Sequence, residues 1–268
     1  AFPRFQVSQN GTLRVAAVQG NTKSALFDVV EPGQNVLDHA ETTLTFVKSP
    51  VDIVVWPENA SDVDPTRFRE SAQVLDYLSA KYNAPFIVGT ITEPRDGIYF
   101  NSSLVWQAGQ GVVAQYDKIH PVPFAEYMPN RDFFHALAPD LVDMVTHDYS
   151  FGTRSNVVNV AGTNIGLSIC FDIVDDQQIF DMIRDGANII VAQTNNADFG
   201  HSEESAQQLA IARLRAIETG RTLVNISTVG ISSMIAADGQ TIDSLPDHVR
   251  GAMTQTLTLS STVTPAMV

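Results

Sequence analysis

Short runs of β-branched and aliphatic residues alternate along this chain with longer segments whose apolar positions recur every three to four residues. The first pattern predicts strands at Arg14–Gln19, Asp52–Trp56, Pro85–Thr90, Ser102–Trp106, Asn164–Ile169, Asn188–Gln193 and Leu223–Thr228. The second predicts helices at Gln34–Lys48, Phe68–Tyr82, Gln177–Asp185 and Ser205–Thr219. In the first helix Val36, Leu37, Ala40, Leu44 and Val47 share a face. In the last, Leu209, Ala212, Leu214 and Ile217 do so ahead of a Gly220 stop. Met234–Ala237 and the segment after Asp238-Gly239 read as a hairpin, and the alternation over Met253–Leu259 as an edge strand. Strands interleaved with helices, with no linker, repeat or low-complexity stretch, predict one α/β domain over 1–268. Only Pro129–Ser155 lacks a steady period, and a loop that long in a compact domain predicts a lid or an unstructured insert.

Composition narrows the function classes. With 268 residues, 44% of them hydrophobic and 17% charged, the chain has the make-up of a folded globule. A net charge of -14 argues against a nucleic-acid partner, because phosphate neutralisation needs clustered Lys and Arg. It also gives no electrostatic attraction to an anionic membrane. A single cysteine rules out an internal disulfide and a thiolate metal cluster. The six histidines show no HExxH or closely paired spacing, so no metal and no cofactor are expected. No run of eighteen apolar residues is present, so no membrane span is predicted within this sequence. The start, Ala1-Phe2-Pro3-Arg4-Phe5, has neither an initiator Met nor a signal-peptide pattern, which suggests an excised or processed piece.

Three segments end a buried-looking strand on a reactive side chain. In Ile53-Val54-Val55-Trp56-Pro57-Glu58 the proline stops the strand and leaves Glu58 at its C-terminal tip, where open α/β sheets place their sites. A carboxylate beside Trp56 and Pro57 is partly desolvated, which raises its pKa toward the range of a general base. In the run from Tyr116 to Tyr127, Pro121 and Pro123 impose a rigid extended path on Lys118, a cation suited to a thiolate or oxyanion. Glu126 is placed to pair with that lysine or orient an incoming group. In Gly166-Leu167-Ser168-Ile169-Cys170-Phe171-Asp172 the only cysteine sits where the strand ends. Its thiolate is a nucleophile if a nearby cation lowers its pKa. Taken singly, each of these residues is better read as ordinary: a surface Glu, a surface Lys and a packed Cys. The Asp175-Asp176 pair reads as a helix cap, and His120 and His201 as exposed loop histidines.

The order Glu58, Lys118, Cys170, each at a strand end, resembles the carbon–nitrogen hydrolase (nitrilase) superfamily from Arg14 to the Asp238-Gly239 hairpin. That resemblance implies an α-β-β-α sandwich, with Glu58 as general base, Lys118 as stabiliser of thiolate and oxyanion, and Cys170 as nucleophile. Glu126 matches a second glutamate that many members place beside the lysine. Narrower patterns resemble the apolipoprotein N-acyltransferase family. The run from Lys118 to Pro129 is similar to its K-x-H-L-V-P-F-G-E-Y-V-P, and Thr194–Gly200 and Gln208–Glu218 are similar to two later family motifs. Phe124, Asn195 and Asn196 fall in these motifs, and Phe171 and Asp172 directly follow the cysteine; these five are the substrate-binding candidates. Phe171 is followed by Asp172 where the family has Glu, Ala125 replaces Gly, and Asp198 replaces Trp. These departures bear on lipid preference more than on chemistry.

The family resemblance implies a phospholipid acyl donor, a Cys170 thioester and transfer to the N-terminal amine of a diacylglyceryl-cysteine lipoprotein. It also implies flanking membrane spans absent from this sequence and a location on the extracytoplasmic face of a bacterial membrane. A soluble amidase or nitrilase with the same triad is the principal alternative. A catalytically silent scaffold is the other, and an intact triad argues against it.

Overall fold

In the computed structural model, which describes residues 7–25 and 28–268, two six-stranded sheets pack face to face between two layers of helix. The start at residues 1–5 lies outside the described residues. The first sheet has the order β12-β1-β2-β3-β4-β5 and the second β11-β10-β9-β8-β7-β6. The first comprises β1 (Thr12–Gln19), β2 (Ile53–Val55), β3 (Phe86–Arg95), β4 (Ile98–Gln107), β5 (Gly111–Asp117) and β12 (Gly251–Thr258). The second comprises β6 (Val157–Val160), β7 (Thr163–Ile169), β8 (Ile189–Thr194), β9 (Leu223–Ser227), β10 (Ser232–Ile235) and β11 (Thr241–Leu245). The strands β1, β2 and β3 run parallel, as do β7, β8 and β9, and the outer strands of each sheet add in antiparallel fashion.

The period-2 alternation of side chains explains the layers. Val15, Ala17, Ile53 and Val55 face the second sheet, where Ile165, Leu167, Ile189 and Val191 meet them. Their neighbours Ala16, Val18, Val54 and Trp56 face outward onto α1 (Gln34–Phe46) and α2 (Arg69–Tyr82). On the far side Ile190, Leu223 and Ile235 pack against α5 (Asp176–Arg184) and α6 (Glu204–Thr219). Strands buried on both faces must be apolar at nearly every position, which is why these segments read as continuous runs.

The structure departs from the periodicity in three places. First, β5 and β6 were not anticipated. Gly111–Asp117 and Val157–Val160 are short edge strands with mixed exposure, so their alternation is faint. Second, Leu37, Leu214 and Ile217 face solvent rather than core. The close approach of α6 to its sheet is made by Ala212, Ala216 and Thr219, and Arg215 donates to Ile173 O and Val174 O at 2.9 Å. Small residues set the depth of packing and the larger apolar ones splay to the flanks. Third, 129–155 is ordered. It carries α3 (Arg131–Leu137) and α4 (Pro139–Val142) around a small cluster of Met128, Val142 and Val145. Arg131 ties it together by donating to Asp148 and to the carbonyls of Val142 and Val145.

Candidate active site

Glu58, Lys118 and Cys170 converge where the two sheets meet. Glu58 leaves β2 over Gly89 of β3, where a Cβ would fall 2.3 Å from Pro57 O and 2.6 Å from Glu58 Cα. Only glycine permits this approach. The backbone beneath is clamped across the sheets: Thr228 Oγ1 donates to Glu58 O at 2.8 Å and Gln193 Nε2 to Trp56 O at 2.6 Å. Lys118 follows β5 and is held in register by its N–H to Asn101 O, 2.8 Å. Gly152 crosses Lys118 so closely that a Cβ there would lie 2.1 Å from Asp117 O.

The side chains form one buried network. Lys118 Nζ donates to Glu126 Oε2 at 2.7 Å. Asn101 Nδ2 donates to Glu58 Oε1 and to Glu126 Oε1, each at 2.7 Å. The Val122 N–H completes the Glu126 carboxylate at 2.7 Å. Glu58 Oε2 is buried without a protein partner, leaving one lone-pair face free to take a proton. Burial pushes the Glu58 carboxyl up to about 7, against the opposing pull of Lys118 and the donors Asn101 and Asn195 N–H. For Lys118 burial is the largest influence and favours the neutral amine. The charges of Glu58, Glu126 and Asp172, with that of Cys170 whenever it is a thiolate, outweigh it, so the ammonium is held above its ordinary range.

Cys170 directly follows β7 with φ 52, a left-handed conformation rare for a residue with a Cβ, and opens a short 3-10 turn over Cys170–Val174. The sharp turn lifts the thiol off the strand. Although Cys170 keeps part of its surface toward solvent, burial and then the Glu58 charge raise its thiol above the usual range, while Lys118 opposes them. The resting thiol is therefore protonated, and a thiol in that state can act as a nucleophile only where a base takes its proton. Gln208 Nε2 of α6 approaches Cys170 Sγ at 3.9 Å.

The remaining candidates separate into two groups. Asp172 turns inward, accepting from Ile169 N–H at 3.0 Å and Tyr116 OH at 2.8 Å, and burial pushes its carboxyl up to about 6. Asn195 donates its backbone N–H to Glu58 and its side chain to Ser24 O at 2.9 Å. Asn196 is spent on Gln208, Thr194 and Ser227. These three brace the site. Phe124 and Phe171, by contrast, are 57% and 56% exposed at its rim. Sequence reasoning missed Asn101 as the link between the two glutamates. It also missed Tyr149, whose phenol is raised by burial and by the Glu126 and Glu58 charges, and it gave no role to Tyr116 and Gln208, although Tyr116 opens the lysine segment and Gln208 opens a family-like motif.

A surface cavity of about 530 Å³ beside Asn59 is lined by Ser24, Ser61, Phe68 and Tyr99 among others, but by none of Glu58, Lys118 and Cys170. It lies apart from the Glu58–Lys118–Cys170 cluster. Among the described residues, one group of metal-ligand type, His201 with Asp247 and His248, brings its ligand atoms together, and it lies outside the triad. No helix among the described residues is long and apolar enough to cross a membrane.

A sandwich of two mixed sheets with a Glu–Lys–Cys cluster at their shared edge defines a class, and the sequence profile of the carbon–nitrogen hydrolase family matches residues 14–264. The chain belongs to that family and is an enzyme of the nitrilase superfamily. Its sequence is 33% identical to an apolipoprotein N-acyltransferase of Mycolicibacterium smegmatis, over 97% of this chain and 47% of that protein. It is 28% identical to one of Photobacterium profundum, over 94% of this chain and 50% of that protein. The chain thus spans about half the length of these curated relatives. Among solved structures it resembles an amidase from Nesterenkonia sp. (TM-score 0.69, 15% identity, 94% of this chain and 92% of the other). It also resembles Saccharomyces cerevisiae Nit3 (TM-score 0.67, 17% identity, 94% and 91%). At such identities the likeness is one of fold.

Proposed function

We propose that this domain catalyses N-acyl transfer, moving a fatty acyl group from a phospholipid through a Cys170 thioester to the N-terminal amine of a diacylglyceryl-cysteine lipoprotein. The observation that carries the reading is the segment from Lys118 to Pro129. It supplies both the lysine and the glutamate of the buried pair, and it is similar to the acyltransferase family's own motif.

Glu58 takes the Cys170 proton as sulfur attacks the ester carbonyl, the S–C bond forming as the carbonyl electrons move to oxygen. Lys118 and an N–H of the Cys170 turn stabilise that oxyanion, an interaction worth about 3–4 kcal/mol per donor in comparable sites. Collapse breaks the C–O bond, and the proton held by Glu58 goes to the departing lysophospholipid. The acceptor amine then attacks the thioester, Glu58 removes its proton, the C–S bond breaks and the thiolate recovers a proton. Asp172 and Asn196 act by positioning: the first holds the Cys170 turn, the second holds Gln208 beside the sulfur. Phe124 and Phe171 offer apolar contact to the acyl chain. The 129–155 segment is the lid that keeps water from the thioester. The reaction requires a membrane-held substrate, so the domain works at a bilayer, on the extracytoplasmic face where lipoproteins mature, and the rest of the longer relatives' length corresponds to a membrane anchor.

The test is the intact mass of the full-length protein after incubation with a diacyl phospholipid in detergent, beside Cys170→Ala. A fatty-acyl increment that disappears in Cys170→Ala supports the reading. Cys170-dependent hydrolysis of a small amide with no lipid adduct overturns it in favour of a soluble amidase.

A further inference from the structure

The loop that begins with Asn195 carries, a few residues on, a group that acyl transfer does not use. His201 lies just ahead of α6, whereas Asp247 and His248 lie in the turn between β11 and β12, and their ligand atoms come within 4.8 Å of one another. His201 Nδ1 and His248 Nε2 stand 3.9 and 3.8 Å from Asp247 Oδ2. Both distances are too long for a hydrogen bond. The imidazole centroids are 4.3 Å apart at a 51° tilt, so the rings neither stack flat nor point away from each other. His248 has φ 55, a left-handed backbone fastened by its N–H to Val229 O at 2.7 Å. That fastening fixes the turn against the exit of β9 rather than leaving it loose.

We propose that His201, Asp247 and His248 form a binding site for a divalent transition-metal ion of the zinc type. Two imidazoles and one carboxylate are the donors such ions prefer, whereas magnesium and calcium favour all-oxygen sites. Zinc–nitrogen and zinc–oxygen bonds of about 2.0–2.2 Å in tetrahedral array put ligand atoms roughly 3.3 Å apart. The carboxylate–imidazole spacings need to close by only about half an ångström, and a water takes the fourth position. The ion ties the loop from Asn195 to the β11–β12 turn. The same loop supplies the Asn195 N–H to Glu58 and, through Asn196, holds Gln208 beside Cys170. Metal occupancy therefore stiffens one wall of the catalytic site without touching the reacting atoms. The spacing of histidines along the chain cannot reveal this group, because the fold alone brings the two segments together.

Metal-stripped protein carrying Cys170→Ala, which removes the competing thiolate, is titrated with Zn²⁺ by calorimetry and with Co²⁺ by visible absorption. The expected result is one saturable equivalent, a tetrahedral Co²⁺ spectrum, a rise in Tm with Zn²⁺, and no response to Mg²⁺ at the same concentration. Adding His201→Ala and His248→Ala lowers affinity at least about tenfold and abolishes the Co²⁺ spectrum. The His201 and His248 side chains are 83% and 33% exposed, so the metal-free Tm stays close to that of the parent and folding is not in question. Absence of saturable zinc binding below about 1 mM, or unchanged affinity in the double variant, overturns the proposal. Neither result depends on acyl transfer.

Discussion

Glu58, Lys118 and Glu126 sit on the floor of the site under several mutually dependent hydrogen bonds, and Lys118 is only 1% exposed. The mouth above is made differently. Phe124, Phe133, Leu137, Phe151 and Phe171 expose half or more of their surface, and the ring contacts among them are edge-on, Phe124 and Phe133 with Phe134 and Phe151 with Tyr127. Buried charge tolerates no slack, because an unpaired charge in a low dielectric is costly. Exposed apolar surface costs little to move and gains its value only when something apolar covers it. The buried polar network is therefore held rigid, and the exposed apolar surface is left adaptable.

The sharpest way to break the contrast is Lys118→Met. It strands two buried carboxylates, so a stability loss of about 3–5 kcal/mol is expected, read by chemical denaturation. A fall of roughly 10²–10³ in acyl-enzyme formation is expected alongside it. A loss under about 1 kcal/mol would show that the floor is not under the electrostatic constraint described here.

A smaller effect of opposite sign is expected from Glu58→Gln. The folded Glu58 carboxyl, at about 7, lies above its ordinary 4.5. The folded state therefore binds this proton more tightly than the unfolded chain. That stabilising contribution is complete below pH 4.5 and is lost as pH rises through 7. The glutamine variant should be more stable than the parent at pH 8 by roughly 1–3 kcal/mol, a gain that vanishes near pH 4.5. In the parent, acyl-enzyme formation should fall about tenfold per unit below pH 7 as the base protonates. Denaturation midpoints across pH that run parallel for the two proteins would remove Glu58 as the raised carboxyl.

The smallest stability effect is expected at the mouth. Phe133 and Leu137, 62% and 69% exposed, replaced together by Ser should each change stability by no more than about 0.5 kcal/mol. Co-sedimentation with phospholipid vesicles should nevertheless drop several-fold. A large stability loss would mean that these residues belong to the fold and not to recognition.

Most of the scaffold was legible because each central strand is buried on both faces and advertises itself as an apolar run, as at Ile53–Val55 and Ile189–Thr194. The edge strands β5 and β6 were not, since an edge pairs on one side only and its residues need not be apolar. Helix faces were half legible. The outward Leu214 and Ile217 show that periodicity marks a stripe, whereas Ala212 and Ala216 mark where the helix touches. At the candidate site, Glu58, Lys118 and Cys170 were legible as strand-end residues in a family order, and Glu126 as the glutamate placed to pair with the lysine. The mutual pairing of Glu58, Asn101 and Glu126 was not.

The sequence by itself determined the alternation of strands and helices, the layers they form and the order in which reactive groups leave the strand ends. These follow from short-range periodicity and from the stops imposed by Pro57 and by the turn at Cys170. Only the tertiary structure decided that Asn101 joins two glutamates, that Asp172 faces Tyr116 beneath the Cys170 turn, and that His201 meets Asp247 and His248. Each of these joins segments distant along the chain. Such an encounter is governed by the register and twist of whole sheets, which no local pattern of polar and apolar residues records.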